Sequence, residues 1–231
     1  MNDVVVACSK LSRVYEGNGV PVHALSDVDL TVRRGEFLSL AGPSGSGKST
    51  LLNLIGALDR ASGGTVSIDG QSLDDLSEAE LADVRLNKIG FVFQAYNLVP
   101  VLSAQENVEF VMQLQGVHAG ERHTRAREVL RALDIDALAD RRPGQLSGGQ
   151  QQRVAVARAI VTRPVLLLAD EPSANLDSKT TEELLSLLEL VNREFGVTIL
   201  TATHDPLVMA HARRHVRLRD GAIIADETNG K

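Results

Sequence analysis

Short apolar segments, separated by glycine and polar residues, predict most of the strands of this chain. The predicted strands lie in VVVAC (4–8), DVDLTV (27–32), EFLSLAG (36–42), TVSIDG (65–70), KIGFVFQ (88–94), VLLLAD (165–170), VTILTATHD (197–205) and, as a hairpin, HVRLRDGAIIAD (215–226). A turn is expected at EGNG (16–19), between the first two. Segments 36–42, 165–170 and 197–205 are apolar enough to be buried strands.

Helical spacing dominates two other parts of the chain. From about 95 to 164, apolar residues recur at intervals of three and four, as in Val129, Leu130 and Leu133, and they predict a mostly helical insert. A long amphipathic helix that ends at Gly196 is expected later. Its apolar face consists of Leu184, Leu187, Leu188, Val191 and Phe195. Strands that alternate with helices favour an α/β fold with a parallel sheet.

A glycine-rich segment directly follows the strand predicted at 36–42. It fits the phosphate-loop pattern G-x-x-x-x-G-K-[ST], with the residues Gly42, Pro43, Ser44, Gly45, Ser46, Gly47, Lys48, Ser49 and Thr50. The glycines let several N–H groups face one anion, and the following helix adds the positive end of its dipole. We expect Lys48 to reach the β- and γ-phosphates, Ser49 to ligate Mg²⁺ and Thr50 to contact a phosphate oxygen. A flexible Gly/Ser linker is the alternative, which the position between a strand and an apolar helix disfavours.

Acidic and polar side chains stand at the ends of three other predicted strands. Asp170 ends one and is followed by Glu171, so we expect Asp170 to hold the metal through water and Glu171 to polarise an attacking water. A pair of solvated acids is the alternative. His204 is expected to reach the γ-phosphate, unless it is a structural histidine. Gln94 is expected to touch Mg²⁺ or the water through its amide oxygen, unless it is a surface amide.

A second helix start with glycines lies in LSGGQQQRVAVARAI (146–160). Ser147, Gly148 and Gly149 place backbone N–H groups at the positive end of this helix, which makes it another anion site. One chain with one triphosphate has no need of two such sites. Because the helical insert carries this tip away from the phosphate loop, we expect it to close over the γ-phosphate bound to a second copy, with two nucleotides buried between two chains.

Charge and cysteine content narrow the function further. The formal net charge is −6, which disfavours a general grip on nucleic acid. Cys8 is the only cysteine, so no intrachain disulfide can form, and we expect a buried, neutral residue there instead of a reactive thiol. We see no signal-peptide pattern in MNDVVVACSKLSRVY and no run of about 18 apolar residues that would predict a membrane span.

Five motifs together, GPSGSGKST, LSGGQ, LLLADEP, SANLD and TATHD, resemble the ATP-binding subunit of ABC transporters. They stand in the order of that family and cover nearly the whole chain; LSGGQ is highly specific, whereas the phosphate loop is not. The resemblance implies an α/β fold of the P-loop NTPase, ABC type, with a mostly parallel core sheet, an antiparallel β part and a helical subdomain. It implies a single domain over 1–231, with the catalytic core in 1–94 and 165–231 and the helical subdomain, which carries the signature motif LSGGQ, in 95–164. ATP and Mg²⁺ are the implied cofactors, and ATP hydrolysis coupled to transport is the implied activity.

The resemblance also implies roles for single residues. Tyr15, in RVYEGNG, resembles the aromatic that stacks on adenine, and Asp177, in SANLD, resembles the residue that crosses the dimer interface. Gln94 resembles the glutamine that couples the nucleotide site to the membrane partner, and His204 resembles the switch histidine. Since Glu171 is also present, both sites of a homodimer are expected to hydrolyse ATP. The signature motif that acts on the other copy's nucleotide contains Ser147, Gly148, Gly149 and Gln150.

The stretch FVFQAYNLVPVLSAQENVEF resembles the lipoprotein-release, macrolide-export and cell-division group of that family, which often has Thr-Gly in place of Ser173-Ala174. Such a chain would lie on the cytoplasmic face of the membrane, where closure of its homodimer drives a separate permease by export or mechanotransmission. We expect the permease to dock near Tyr96, Asn97, Leu98, Val99 and Pro100, unless this cluster only packs within the insert. A soluble ABC ATPase with a regulatory role is the alternative function.

Overall fold

The computed structural model describes residues 3–16, 19–174 and 176–228. Its strands are β1 (Val4–Tyr15), β2 (Val22–Arg33), β3 (Phe37–Ala41), β4 (Gly63–Ile68), β5 (Gln71–Ser72), β6 (Ile89–Phe93), β7 (Leu166–Asp170), β8 (Thr198–Thr203), β9 (Arg214–Arg219) and β10 (Ala222–Thr228). Its α-helices are α1 (Lys48–Ile55), α2 (Glu78–Lys88), α3 (Ala104–Leu114), α4 (Ala119–Ala132), α5 (Gly148–Ile160), α6 (Ser178–Phe195) and α7 (Pro206–His211). Short 3₁₀ helices lie at Asp136–Leu138 and Pro143–Gln145.

Two sheets organise the fold. The larger one has the strand order β10-β9-β3-β8-β7-β6, and all of its neighbouring strands are parallel except β10, which is antiparallel to β9. The smaller sheet, β2-β1-β4-β5, is antiparallel throughout. The expected α/β fold, with a mostly parallel core sheet and an antiparallel part, is therefore confirmed.

The central strand β3 is buried at every position because it has hydrophobic clusters on both faces. Leu38 and Leu40 belong to the cluster that includes α1, whereas Phe37 belongs to the cluster that includes α5 and α6. Side chains of a strand alternate between the two faces, so an unbroken apolar run is what a doubly covered strand requires. This explains why the segment could be recognised from sequence.

The structure adds one helix that was not predicted, and it exposes one residue of a predicted apolar face. Helix α2 was not predicted, although Ser77 and Glu80 form a capping box that marks its start: the Ser77 hydroxyl accepts from the Glu80 N–H at 3.4 Å, and the Glu80 carboxylate accepts from the Ser77 N–H at 2.8 Å. Helix α6 does end at Gly196, in the left-handed conformation (φ 66°) that favours glycine. Phe195 is 38% exposed, however, because it is the last residue of the helix, where the apolar face ends.

Cys8 is buried in β1, as expected, and burial raises the pKa of its thiol to about 12. The thiol is therefore neutral at physiological pH. In the expected turn at 16–19, Gly17 and Asn18 lie outside the described residues. Across the described ranges, no helix combines the length and the apolar character that crossing a bilayer needs.

Candidate nucleotide-binding site

Strands β3, β6, β7 and β8 are parallel, so their carboxyl ends meet at one edge of the sheet. The ladder places Ala41 opposite Thr203, Asp170 opposite Ala202 and Phe93 opposite Asp170. The residues that follow these strands are therefore brought together from distant parts of the sequence: Gly42, Gln94, Glu171 and His204.

An open cleft of about 660 Å³ lies at this edge. Its described lining consists of Val22, His23, Ala24, Pro43, Ser44, Gly45, Ser46, Gly47, Lys48, Ser49, Thr50, Gln94, Glu171, Ala174 and His204. Most of these residues were candidates from the sequence. The contribution of residues 22–24 was missed, because the strand predicted from sequence began only at 27, whereas β2 begins at Val22.

The glycines of the phosphate loop are required by close backbone contacts. A Cβ atom at Gly42 (φ 153°) would lie 2.3 Å from the Leu218 carbonyl oxygen, and one at Gly47 (φ 102°) would lie 2.6 Å from that of Ala24. Helix α1 begins directly after Gly47 and has no side-chain cap. Its first-turn N–H groups are thus available to an anion in the cleft.

Lys48 lies inside this loop. Its ammonium donates to the carbonyl oxygens of Gly42 at 2.8 Å and Pro43 at 3.0 Å, and its side chain is buried. The Ser46 hydroxyl is buried as well and has no hydrogen-bond partner among the described residues. A concentrated positive charge beside an unsatisfied hydroxyl is a setting that suits phosphate oxygens.

Ser49 connects the cleft to Asp170, which is itself not among the described lining residues. The Ser49 hydroxyl donates to Asp170 Oδ1 at 3.1 Å. Burial raises the pKa of Asp170 above the usual aspartate value, while the hydrogen bond from Ser49 acts in the opposite direction. Hydroxyl, carboxylate and amide oxygens are the ligands that Mg²⁺ prefers, so Ser49, Asp170 and Gln94 fit a magnesium ion chemically.

Glu171 and His204 face each other across the edge of the sheet. His204 Nδ1 lies 2.9 Å from Glu171 Oε1, and the imidazole is largely exposed whereas the carboxylate is mostly covered. Glu171 has a left-handed backbone (φ 45°), which is unusual for this residue type. Its N–H donates to the Ala202 carbonyl oxygen at 2.9 Å, which holds the turn in place. The sequence placed both residues at the edge but could not show that they are hydrogen-bonded.

The signature helix α5 starts elsewhere. The Ser147 hydroxyl accepts from the Gln150 N–H at 3.3 Å, and Gln150 Oε1 accepts from the Ser147 N–H at 2.9 Å, so this tip caps itself. Ser147 and Gly148 are exposed. Among the described residues that line the cleft, none comes from 147–150. Asp177 is also absent from the described lining of the cleft. It caps the start of α6, where its carboxylate accepts from the Thr180 N–H at 2.9 Å.

The segment after Gln94 is held by two side chains of the helical insert. Arg158 of α5 donates to the carbonyl oxygens of Asn97 at 2.5 Å and Tyr96 at 3.0 Å. Asn107 of α3 is fully buried and accepts from the Val99 N–H at 2.7 Å. The predicted docking segment is therefore a fixed loop. Neither contact could be read from sequence spacing.

Within this docking segment, Leu98 packs partly against the hydrophobic cluster of the insert. The neighbouring Val101 is 70% exposed. Part of the segment thus serves internal packing, and its outer side leaves apolar surface to solvent.

The ABC transporter family model matches residues 25–174, which is well over half of the chain. The chain belongs to the ABC transporter family. Membership confirms the expected ABC-type fold and the expected role as an ATP-binding and ATP-hydrolysing transporter subunit.

Similar proteins agree with this assignment. The ABC transporter ATP-binding protein MJ0796 of Methanocaldococcus jannaschii is 44% identical, over 96% of this chain and 97% of its own length. The lipoprotein-releasing system ATP-binding protein LolD of Chromohalobacter salexigens is 43% identical, over 97% and 95%. The macrolide export ATP-binding/permease protein MacB of Hyphomonas neptunium is 44% identical over 99% of this chain but only 35% of its own.

In one solved structure, the ATP-binding cassette MJ0796 is a dimer in a post-hydrolysis state, bound to ADP and Pi. It superposes on this ABC subunit with a TM-score of 0.87 at 43% identity, and the match covers 96% of this chain and 98% of that one. The fold is thus the same over nearly the whole length of both proteins.

Replacing Asp170 with asparagine should stabilise the nucleotide-free protein while it abolishes ATP hydrolysis. Asparagine keeps an oxygen that can accept from Ser49 but removes a charge that burial disfavours. Because the folded pKa is raised, the gain in unfolding free energy should vanish below the ordinary aspartate pKa of about 3.9 and be complete above the raised value. Thermal unfolding at a series of pH values measures this difference.

Asp226→Asn is the matched control of opposite sign. The hydrogen bond from Arg214 lowers the pKa of Asp226, so that its charged form is favoured in the folded protein. This variant should therefore unfold at a lower temperature near neutral pH. A lower unfolding temperature for Asp170→Asn as well would contradict the prediction.

Proposed function

We propose that two copies of this ABC subunit bind two ATP molecules between them, each held by Gly42–Thr50 of one copy and covered by Ser147–Gln150 of the other. The observation that carries this proposal is the separation of the two anion-binding helix starts: α1 opens into the cleft and α5 does not contribute to its described lining. In a dimer with two-fold symmetry, the α5 tip of each copy meets the cleft of the other copy, so that two equivalent sites form. The dimer described for MJ0796 supports the pairing of two copies.

Within each site, the loop amides and Lys48 bind the phosphates, and Tyr15 stacks on the adenine ring. Ser49, Asp170 and Gln94 hold Mg²⁺, which when bound neutralises charge that develops on the phosphates. Asp177 reaches toward the opposite site across the interface.

Glu171 is the general base in this proposal. Its carboxylate orients the attacking water and accepts a proton from it, a role that typically contributes about 10²–10⁴-fold to the rate. His204 holds this carboxylate through the 2.9 Å contact and reaches the γ-phosphate from the same edge. Both sites of the homodimer hydrolyse ATP, because each carries the complete set of residues.

The chain divides functionally into a catalytic core, 1–94 and 165–231, and a helical subdomain, 95–164. Closure of the dimer moves the subdomain and, with it, an integral membrane permease that docks near Tyr96–Pro100. The subunit acts at the cytoplasmic face of the membrane, without nucleic acid. LolD and MacB, named for lipoprotein release and macrolide export, support an export or mechanotransmission role. The soluble regulatory alternative has no comparable support.

Mixed oligomers test the shared site. Lys48→Ala breaks one phosphate loop and Ser147→Arg blocks one signature tip, so each variant alone should lack ATPase activity. A heterodimer of the two retains one intact composite site, because its working loop and its working tip meet across the interface. Differently tagged copies, purified together, should therefore hydrolyse ATP faster than either parent. Absence of any recovery in verified heterodimers would exclude the shared site.

Glu171→Gln should trap the ATP-bound dimer, since it removes the base but keeps the shape and hydrogen bonding of the side chain. Gel filtration with ATP and Mg²⁺ should show a dimer that persists, and hydrolysis should fall by about 10²–10⁴-fold. Adding Lys48→Ala to this variant should prevent dimer formation. Elution of Glu171→Gln only as a monomer would count against the scheme.

Val101→Asp tests the docking surface. Val101 is a sharper probe than Leu98, whose packing against the insert would confound the result. The variant should lose co-purification with the membrane permease from detergent-solubilised membranes, because a charge is then placed in an apolar contact, while ATPase activity of the isolated subunit is retained. Val20→Asp changes a valine that is 87% exposed elsewhere and should co-purify normally. Normal capture of Val101→Asp would place the permease on another surface.

A further inference from the structure

Tyr15 lies next to the nucleotide cleft, although it is not among the described lining residues. It pairs with Val22 across the antiparallel ladder of β1 and β2, and paired residues project from the same face of a sheet. Val22 lines the cleft. The Tyr15 ring, 39% exposed, therefore offers a flat apolar surface beside it.

Two charged side chains fix this ring. The Arg13 guanidinium lies over one face, with its central carbon 4.4 Å from the ring centroid. Arg13 also forms a two-point salt bridge with Asp59, at 3.0 Å from Nε to Oδ2 and 2.8 Å from Nη2 to Oδ1. The Tyr15 hydroxyl donates to the same Asp59 Oδ2 at 2.9 Å. The ring is thus held at its face and at its tip by residues that also hold each other.

Asp59 connects this cluster to the helix that follows the phosphate loop. Its N–H donates to the carbonyl oxygen of Asn53, in α1, at 3.3 Å. Three residues further along, the Ser62 hydroxyl accepts from the Val14 N–H at 3.0 Å, which ties the same segment to β1. The ring of Tyr15 and the start of α1 at Lys48 are therefore joined through one short, bonded segment.

We infer that Arg13 and Asp59 are positioning residues that set the Tyr15 ring at a fixed distance from the phosphate loop, and so favour triphosphates that carry a flat base. This inference rests on the proposed stacking of adenine on Tyr15. With the guanidinium on one face, the base stacks on the other. The bidentate pair is only about one quarter exposed, at 22% and 24%, which makes it stronger than an ordinary surface ion pair. The contacts also span 44 and 46 residues of sequence, so they orient Tyr15 against a distant element and not within its own strand.

The test compares a ligand that has a base with one that has none. Asp59→Asn should raise KM for ATP by about two- to tenfold, the factor expected for the loss of one hydrogen bond. Its kcat at saturating ATP and its inhibition by inorganic tripolyphosphate should stay unchanged, because the phosphate loop is intact. Tyr15→Phe keeps the ring but loses the hydroxyl contact with Asp59. It should shift KM for ATP in the same direction, and it tests the inference even if Asp59→Asn folds poorly.

Glu78→Gln is the matched control. It removes the neighbouring Arg60–Glu78 ion pair at the same corner of the molecule, without touching Tyr15, and should leave KM for ATP unchanged. An equal loss of ATP and tripolyphosphate binding in Asp59→Asn would mean a merely structural role and would overturn the inference.

Tyr15→Leu distinguishes the stacking of adenine on Tyr15 from the positioning role of Arg13 and Asp59. If this variant weakens ATP binding but Asp59→Asn and Tyr15→Phe do not, the positioning role is wrong and adenine stacking stands. If Tyr15→Leu itself leaves the affinity for ATP unchanged, then the adenine role of Tyr15 is wrong, and the positioning role is wrong with it.

Discussion

Parallel pairing of β3, β8 and β7 is the constraint on which the site depends. The ladder sets Leu40 opposite Ala202 and Ala202 opposite Asp170, so three loops leave the sheet at the same level. A slip of one residue would turn each buried side chain to the opposite face, which the two hydrophobic clusters prevent. The chemistry of the cleft is therefore aligned by apolar packing at the centre of the sheet.

The two glycine-led helix starts solve the problem of unsatisfied amides in different ways. At α5, Ser147 and Gln150 satisfy two of the donors within the chain, so this tip is stable in solvent. At α1, no side chain caps the first turn, and Lys48 is bound instead by carbonyl groups of its own loop. The first tip is built to be completed by a ligand in the cleft, whereas the second can remain exposed until another surface covers it.

Residues of the site could be predicted from the sequence where the pattern that indicates the local structure also marks the functional position. The phosphate loop and His204 directly follow apolar strands, and Asp170 ends one, so the end of the strand predicts their place. Prediction from sequence failed where contacts connect distant segments: the hydrogen bonds of Arg158 to Tyr96 and Asn97 span 62 and 61 residues. It also failed at α2, whose apolar face is weak and whose start is marked only by its capping box. Propensity and periodicity carry no information about such long-range partners.

The two hydrogen bonds of Arg158 have a mechanical consequence. A charged donor that binds two carbonyls contributes about 1.5–3 kcal/mol per bond, and burial makes solvent a poor substitute, as the lowered pKa of Arg158 also indicates. The third turn of α5 and the loop after β6 therefore form one rigid unit. In the proposed closure of the dimer, Tyr96 and Asn97 therefore move together with α5, the hinge lies on the strand side of Tyr96, and the exposed Val101 moves with the loop.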